Sequence, residues 1–253
     1  LTSTPEPLAA PTVKEAGRVA GWGLAFYGAT QLAAMVFTQN ATALVAVQAA
    51  LAEWGAGRVG IAWSDPLADP PTASAIAGRA GAGAAMGVAA SAVVVVVALG
   101  THTAATSAAH PGFGALAVGL VVAVLSAVRD ELLLRGVLLR VTRSLWPAWA
   151  ALVACGAAAA AARYGAEGVV GLALLVEGLR GIALAAVWVR DRGAWMAVGA
   201  NAAWSWATGS VVHGGLLDVR FATEIDAGIP ALVVVGAAAV ATCVWAFPRK
   251  SAS

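Results

Sequence analysis

The sequence predicts an all-α polytopic membrane protein, a single bundle of about eight transmembrane helices, and three observations carry that prediction. The 253 residues are 60% hydrophobic and only 11% charged, where a soluble domain carries about 25% charged residues. Mean hydropathy is +0.83. The apolar runs are continuous rather than alternating, which excludes a β-barrel. At ~20 residues per span plus loops, this length suits eight helices in one domain.

The elements follow in order. Residues 1–14 are a polar, Pro-containing tail. A first span is expected over about 17–38 and a shorter apolar piece over 41–54, which either spans or re-enters. Asp65, Pro66, Asp69, Pro70 and Pro71 mark 55–77 as a loop. The third span, 79–99, ends in the run from Val93 to Ala98. Residues 100–112 form a loop with His102 and His110. A long fourth helix covers 113–142, and further spans fall near 146–163, 166–189, 193–211 and 228–247. A polar loop, 212–227, contains His213, Asp218, Arg220, Glu224 and Asp226. The membrane domain is therefore 15–248, with a second tail at 249–253. Dense Gly and Ala, as in 80–87 and 154–162, let backbones approach closely. Trp22, Trp146, Trp149, Trp188, Trp195 and Trp245 fall near span ends, as in an interfacial aromatic belt.

Lys and Arg set the orientation. With eight spans, ten of the fifteen basic residues fall on the side of the N-terminus, and only Arg163 and Arg220 on the other. Both termini are expected in the cytoplasm, in a cell inner membrane. Ala, Gly, Val and Arg abound against only two Lys, which points to a GC-rich bacterial genome. The opening Leu-Thr-Ser-Thr-Pro-Glu-Pro has no basic region before an apolar core, so no signal peptide is expected. Net charge is +2, which gives no reason to expect a nucleic-acid partner; the lipid bilayer is the first expected partner. Cys155 and Cys243 fall in apolar runs as small hydrophobes. No metal-type Cys/His spacing, Gly-x-Ser-x-Gly elbow or His-Glu-x-x-His occurs, and neither metal nor cofactor is expected.

Charges interrupt the fourth helix at Arg129, Asp130, Glu131 and Arg135. A charge in lipid costs roughly 2.5–3.5 kcal/mol on insertion scales, so these side chains are expected to face a protein interior. Glu131 and Arg135, four apart, share a helix face and can pair. Asp130 lies 100° around. Glu177 and Arg180 form a second i, i+3 pair in the sixth helix. Three Arg balance three acids, and the two helices are expected to be neighbours. From the charges alone, a packing network and an acid/base site stand level.

Asp130-Glu131-x-x-x-Arg135-Gly136 late in a long apolar helix resembles the Glu-Glu-x-x-x-Arg motif of the CPBP family, the CAAX prenyl proteases and bacteriocin-processing proteins. Val59-Gly60-Ile61-Ala62-Trp63 is similar to the region upstream of that motif, and Gly193-Ala194-Trp195 to its Gly-Ser-Leu-Trp segment. The resemblance implies an eight-helix intramembrane glutamic protease in which the first acid of the pair activates water, helped by two His and an Asn on later helices. By position the base is Asp130, followed by Glu131 and Arg135. The first His position falls on Arg163, the second on Asn201, and the Asn on Ser205.

The motif is retained and its chemistry eroded. Asp for Glu shortens the base by one methylene, a shift that can cost ~10²-fold. Arg and Asn cannot shuttle a proton as His does. An Arg facing Asp130 or Glu131 would lock the carboxylate in an ion pair. No His stands between His110 and His213, and the three that exist fall on loops. Three functions are weighed. The first is a non-proteolytic binding or assembly subunit of a membrane complex, a pseudoenzyme with protein partners. The second is an active CAAX-type endopeptidase with an altered site. The third is a transporter, since intramembrane ion pairs also mark substrate paths, although no inverted halves or paired broken helices are evident.

Overall fold

The computed structural model describes residues 12–64, 71–108, 112–142, 145–168, 170–212, 216–221 and 223–247. Those residues form an all-α polytopic membrane protein. Its rods are α1 (Val13–Val36), α2 (Ala41–Arg58), α3 (Ala73–Gly100), α4 (Phe113–Thr142), α5 (Ala148–Glu167), α6 (Leu172–Asp191), α7 (Trp195–Trp206, continued by a π-helical turn Ala207–Val211) and α8 (Glu224–Ala246). Five of them, α1, α3, α4, α6 and α8, are individually long and apolar enough to cross a membrane.

Sequence punctuates five of these rods. Thr12 and Glu15 make a reciprocal capping box at the start of α1. Asn40, Thr72 and Thr223 each accept a backbone N–H at the start of α2, α3 and α8. Gly168, left-handed at φ 65°, closes α5. Large apolar side chains point outward, among them Leu24, Met35, Val96, Phe113 and Val244, and such a belt suits lipid rather than water.

Packing between rods relies on small residues. The most extensive contact joins α3 and α7. A Cβ added at Gly83 would collide with the Met196 carbonyl, at Gly87 with the Ala200 carbonyl, and at Gly199 with the Ala80 carbonyl. The two backbones therefore touch, as small-residue spacing allows. Further contacts run α6–α8 and α5–α6, while α4 lies between α2 and α7.

Several boundaries differ from expectation. The second piece is a full helix to Arg58, α1 begins at Val13 and α3 at Ala73. The loops expected at 100–112 and 212–227 are not wholly loops. Strands β1 (Ala104–Ala108) and β2 (Leu217–Phe221) pair antiparallel with Thr106 opposite Val219. Backbone hydrogen bonding overrides the poor strand propensity of Ala-Ala-Thr-Ser-Ala. Glu224 and Asp226 open α8 rather than lie in a loop, because Thr223 caps it. Trp195 and Trp188 are not simply belt residues. Trp195 stacks on Trp63 at 4.5 Å and donates to Ser64 Oγ, while Trp188 packs on the core around Leu132. The loop residues 65–70, His110, His213 and most of both tails, 1–11 and 248–253, lie outside the described residues.

Candidate functional site: a closed charge centre beside a polar cavity

The charges of α4 sit where its helix changes pitch. The rod is α-helical to Asp130, π-helical over Glu131–Gly136, and α-helical again from Val137. The Val137 N–H reaches back five residues to the Leu132 carbonyl. Such single π-turns are frequent at functional sites. Gly136 fits here because an added Cβ would press on Ile61 Cγ2 at 3.0 Å.

Glu131 and Arg135 turn inward and are fully buried. Arg135 Nη1 lies 2.6 Å from Glu131 Oε1. Asn201 Nδ2, from α7, donates to the same oxygen at 3.0 Å. Glu131 Oε2 and Arg135 Nε have no hydrogen-bond partner. The adjoining Leu132 and Leu133 belong to an apolar cluster with Phe26, Ala52 and Ala56. The Glu131 carboxylate has no exposed surface.

Asp130 takes another direction. Its Oδ1 accepts from Arg129 Nε at 2.8 Å and lies 2.7 Å from Arg129 Nη2. Arg129 Nη1 donates to Gln48 Oε1 at 2.8 Å, and Gln48 Nε2 donates to the Thr30 carbonyl. On α6, Arg180 Nη2 lies 2.6 Å from Glu177 Oε2, and Arg180 Nη1 donates to Ser205 Oγ at 3.4 Å. Each of these three ion pairs thus closes within its own helix, and the uncharged groups Gln48, Asn201 and Ser205 tie them to other helices. A further pair, Arg79 with Asp191 at 3.6 Å, joins α3 to α6. As expected, α4 and α6 are neighbours, though through apolar side chains: Trp188 packs on the cluster of Leu132 and Leu133, and Leu138 and Leu139 on that of Leu152, Cys155, Ala185 and Ala186, while the most extensive contacts of α6 are with α5, α7 and α8. The charges themselves pair within each helix, at spacings of one, three and four residues.

A cavity of about 980 Å³ separates these helices. Asp130, Arg163 and Ser205 all line it, as do Arg129, Arg135, Glu177 and Arg180. Glu131 does not. Asn201 instead borders a smaller apolar cleft of about 70 Å³ beside Met86 and Val235. The six positions carried over from the motif are therefore divided: Asp130, Arg135, Arg163 and Ser205 face the cavity, and Glu131 and Asn201 bind each other behind it. No group of three or more His, Cys, Asp or Glu that could hold a metal occurs among the described residues.

Residues 112–207 match the family model for type II CAAX prenyl endopeptidase, Rce1-like. The match agrees with the resemblance read from the Asp130-Glu131-x-x-x-Arg135 motif. It runs from the start of α4 into the π-turn of α7, so it includes every motif position named above. It covers less than half of the chain. No curated protein and no solved structure matches the chain.

Two contributors escaped the sequence reading. Gln48 is a lone amide in an otherwise apolar run of α2, and that isolation is the signal that could have marked it. The other is the stacking of Trp63 on Trp195: both stand in segments that carry the family resemblance, but a contact 132 residues apart requires the fold to bring them together.

Proposed function

We propose that this chain is a non-proteolytic relative of the Rce1-like CAAX endopeptidases, a binding or assembly subunit of a bacterial inner-membrane complex with both termini in the cytoplasm. The observation that carries this reading is that both acids of the motif are held by guanidiniums, Asp130, the base position, by Arg129, and Glu131 by Arg135 with Asn201 on the same oxygen. A general base must reach a water and take its proton. Glu131 is fully buried, is held by two donors on one oxygen, and stands outside the cavity wall. At the positions where the family resemblance implies histidines stand Arg163, which stays charged, and Asn201, which serves as a structural donor. Purification from the native membrane in mild detergent tests the reading. A stoichiometric protein partner that survives purification supports it. Cleavage of a co-purifying peptide, lost in Asp130→Ala, overturns it.

A second reading, an altered but active endopeptidase, draws on Asp130. Its side chain is 23% exposed and faces the cavity, with Ser205 on the same wall. Asp130 is the base position by the family resemblance, and it would have to leave Arg129 to act. Turnover by the reconstituted protein of a peptide whose prenylated Cys is followed by three C-terminal residues would support that reading.

A further inference from the structure

Inside the bundle, Arg129, Arg135 and Arg180 each meet a carboxylate of their own helix. The end where α6 and α8 finish is different. Arg190 and Arg192 stand there, both exposed. Neither forms an ion pair or donates a hydrogen bond among the described residues. The acid between them, Asp191, is already engaged. Arg79 Nε lies 3.6 Å from its Oδ1, and its Oδ2 accepts from the Met196 N–H at 3.3 Å. In the sequence, Arg249 and Lys250 follow α8, and no acid follows Asp226. Positive charge is therefore unmatched at this end.

Arg190 is also held in place. Its guanidinium carbon lies 5.1 Å from the ring centroid of Trp245, in the last turn of α8. Attraction to the face of an aromatic ring fixes a guanidinium without using an oxygen acceptor. The five N–H donors of Arg190 stay available to a ligand.

The face of α8 that leads away from this pair is apolar and exposed. It consists of Val233, Ala237, Val240, Ala241, Val244 and Trp245 itself. Counted from Val233, these stand at i, i+4, i+7, i+8, i+11 and i+12, the spacing of one helix face. From Trp245 to Val233 the stripe runs about 18 Å at 1.5 Å per residue. That is enough to line one leaflet of a ~30 Å hydrocarbon core. A soluble acidic partner would meet the two cations and miss the stripe. A neutral lipid would meet the stripe and miss the cations. An anionic phospholipid meets both.

We propose that the α6–α8 end holds an anionic phospholipid. Its phosphate meets the N–H groups of Arg190, with Arg192 adding charge. Its glycerol lies level with Trp245, where interfacial Trp rings sit at headgroup depth. An acyl chain follows Val244 and Val240 toward Val233. The site is apart from the cavity and stands whether or not the chain cleaves peptides.

The test titrates the delipidated full chain in detergent with dioleoyl phosphatidylglycerol or dioleoyl phosphatidylcholine and counts bound lipids by native mass spectrometry. The first phosphatidylglycerol should bind roughly tenfold more tightly than phosphatidylcholine, as two cations near an anionic headgroup provide. Changing Arg190→Gln and Arg192→Gln together should remove most of that preference. Changing Lys14→Gln and Arg18→Gln, an equal loss of charge at the start of α1, should keep it. A second measurement leaves the cations untouched. Phosphatidylglycerol with brominated chains should quench the tryptophan fluorescence of the native chain more than brominated phosphatidylcholine does, and Trp245→Phe should remove most of the difference. Equal binding of the two lipids, a preference that survives the Arg190 and Arg192 changes, an equal fall in the Lys14 and Arg18 variant, or a quenching difference unaltered by Trp245→Phe overturns the proposal. Displacement of the lipid by an equal concentration of glycerol 3-phosphate also overturns it, because the end would then take a free anion.

Discussion

Asn201 donates a 3.0 Å hydrogen bond to Glu131 Oε1 across 70 residues of sequence. It joins α7 to the π-turn of α4 and converges with Arg135 on a single oxygen. The position where the resemblance implies a proton-carrying histidine therefore holds an amide that can only donate to or accept from a fixed neighbour. That relationship turns a would-be catalytic pair into a cross-brace.

The brace should be visible in stability. Arg135→Ala leaves Glu131 buried with only Asn201 beside it, and breaking a buried pair from one side costs about 3–5 kcal/mol. Replacing both charges with Leu removes the uncompensated carboxylate, so the double variant is expected to be far less destabilised than Arg135→Ala. Thermal unfolding in detergent checks the order. Equal losses for the two variants would contradict the brace.

Backbone contact between α3 and α7 makes Gly87 intolerant. A Val there must displace the Ala200 carbonyl and the Trp204 backbone, and overpacking of this kind costs about 1–3 kcal/mol or more. Gly81, on the same helix, has open space around it, and Gly81→Ala should be neutral or gain up to about 1 kcal/mol. Comparing folded yield and melting temperature of the two variants separates close packing from general sensitivity of α3.

Gln48 ties α2 to Arg129. Gln48→Leu should cost about 1.5–3 kcal/mol, the range for a hydrogen bond to a charged group. Because Arg129 keeps Asp130, the loss should fall below that of Arg135→Ala. A melting temperature unchanged by Gln48→Leu would count against the interhelical link.

The exposed pair on β2 behaves differently. Arg220 Nη2 lies 2.6 Å from Asp218 Oδ2, and the Arg220 side chain is 78% exposed. Pairs of this kind are worth about 0–1 kcal/mol. Arg220→Gln should shift stability by no more than that, and raising ionic strength should erase the difference.

The helices were legible in the sequence because long apolar runs bounded by Thr, Asn and Gly leave few alternatives. The intrahelical pairs were legible for the same reason: spacing of three or four fixes a face. What lay beyond reading was whatever depends on two distant segments meeting. Ala104–Ala108 shows no strand pattern until Leu217–Phe221 lies beside it. The direction of Asp130, away from Glu131, depends on Arg129 reaching Gln48. The π-turn has no sequence mark, yet it sets which acid of the motif is buried and which faces the cavity.

The most direct measurement is peptide cleavage by the purified protein in liposomes, with a peptide whose prenylated Cys is followed by three C-terminal residues and an unprenylated control, for the native chain and Asp130→Ala. The account predicts no turnover above the liposome blank for either protein. Turnover by the native chain that disappears in Asp130→Ala, with an unchanged melting temperature, would contradict it.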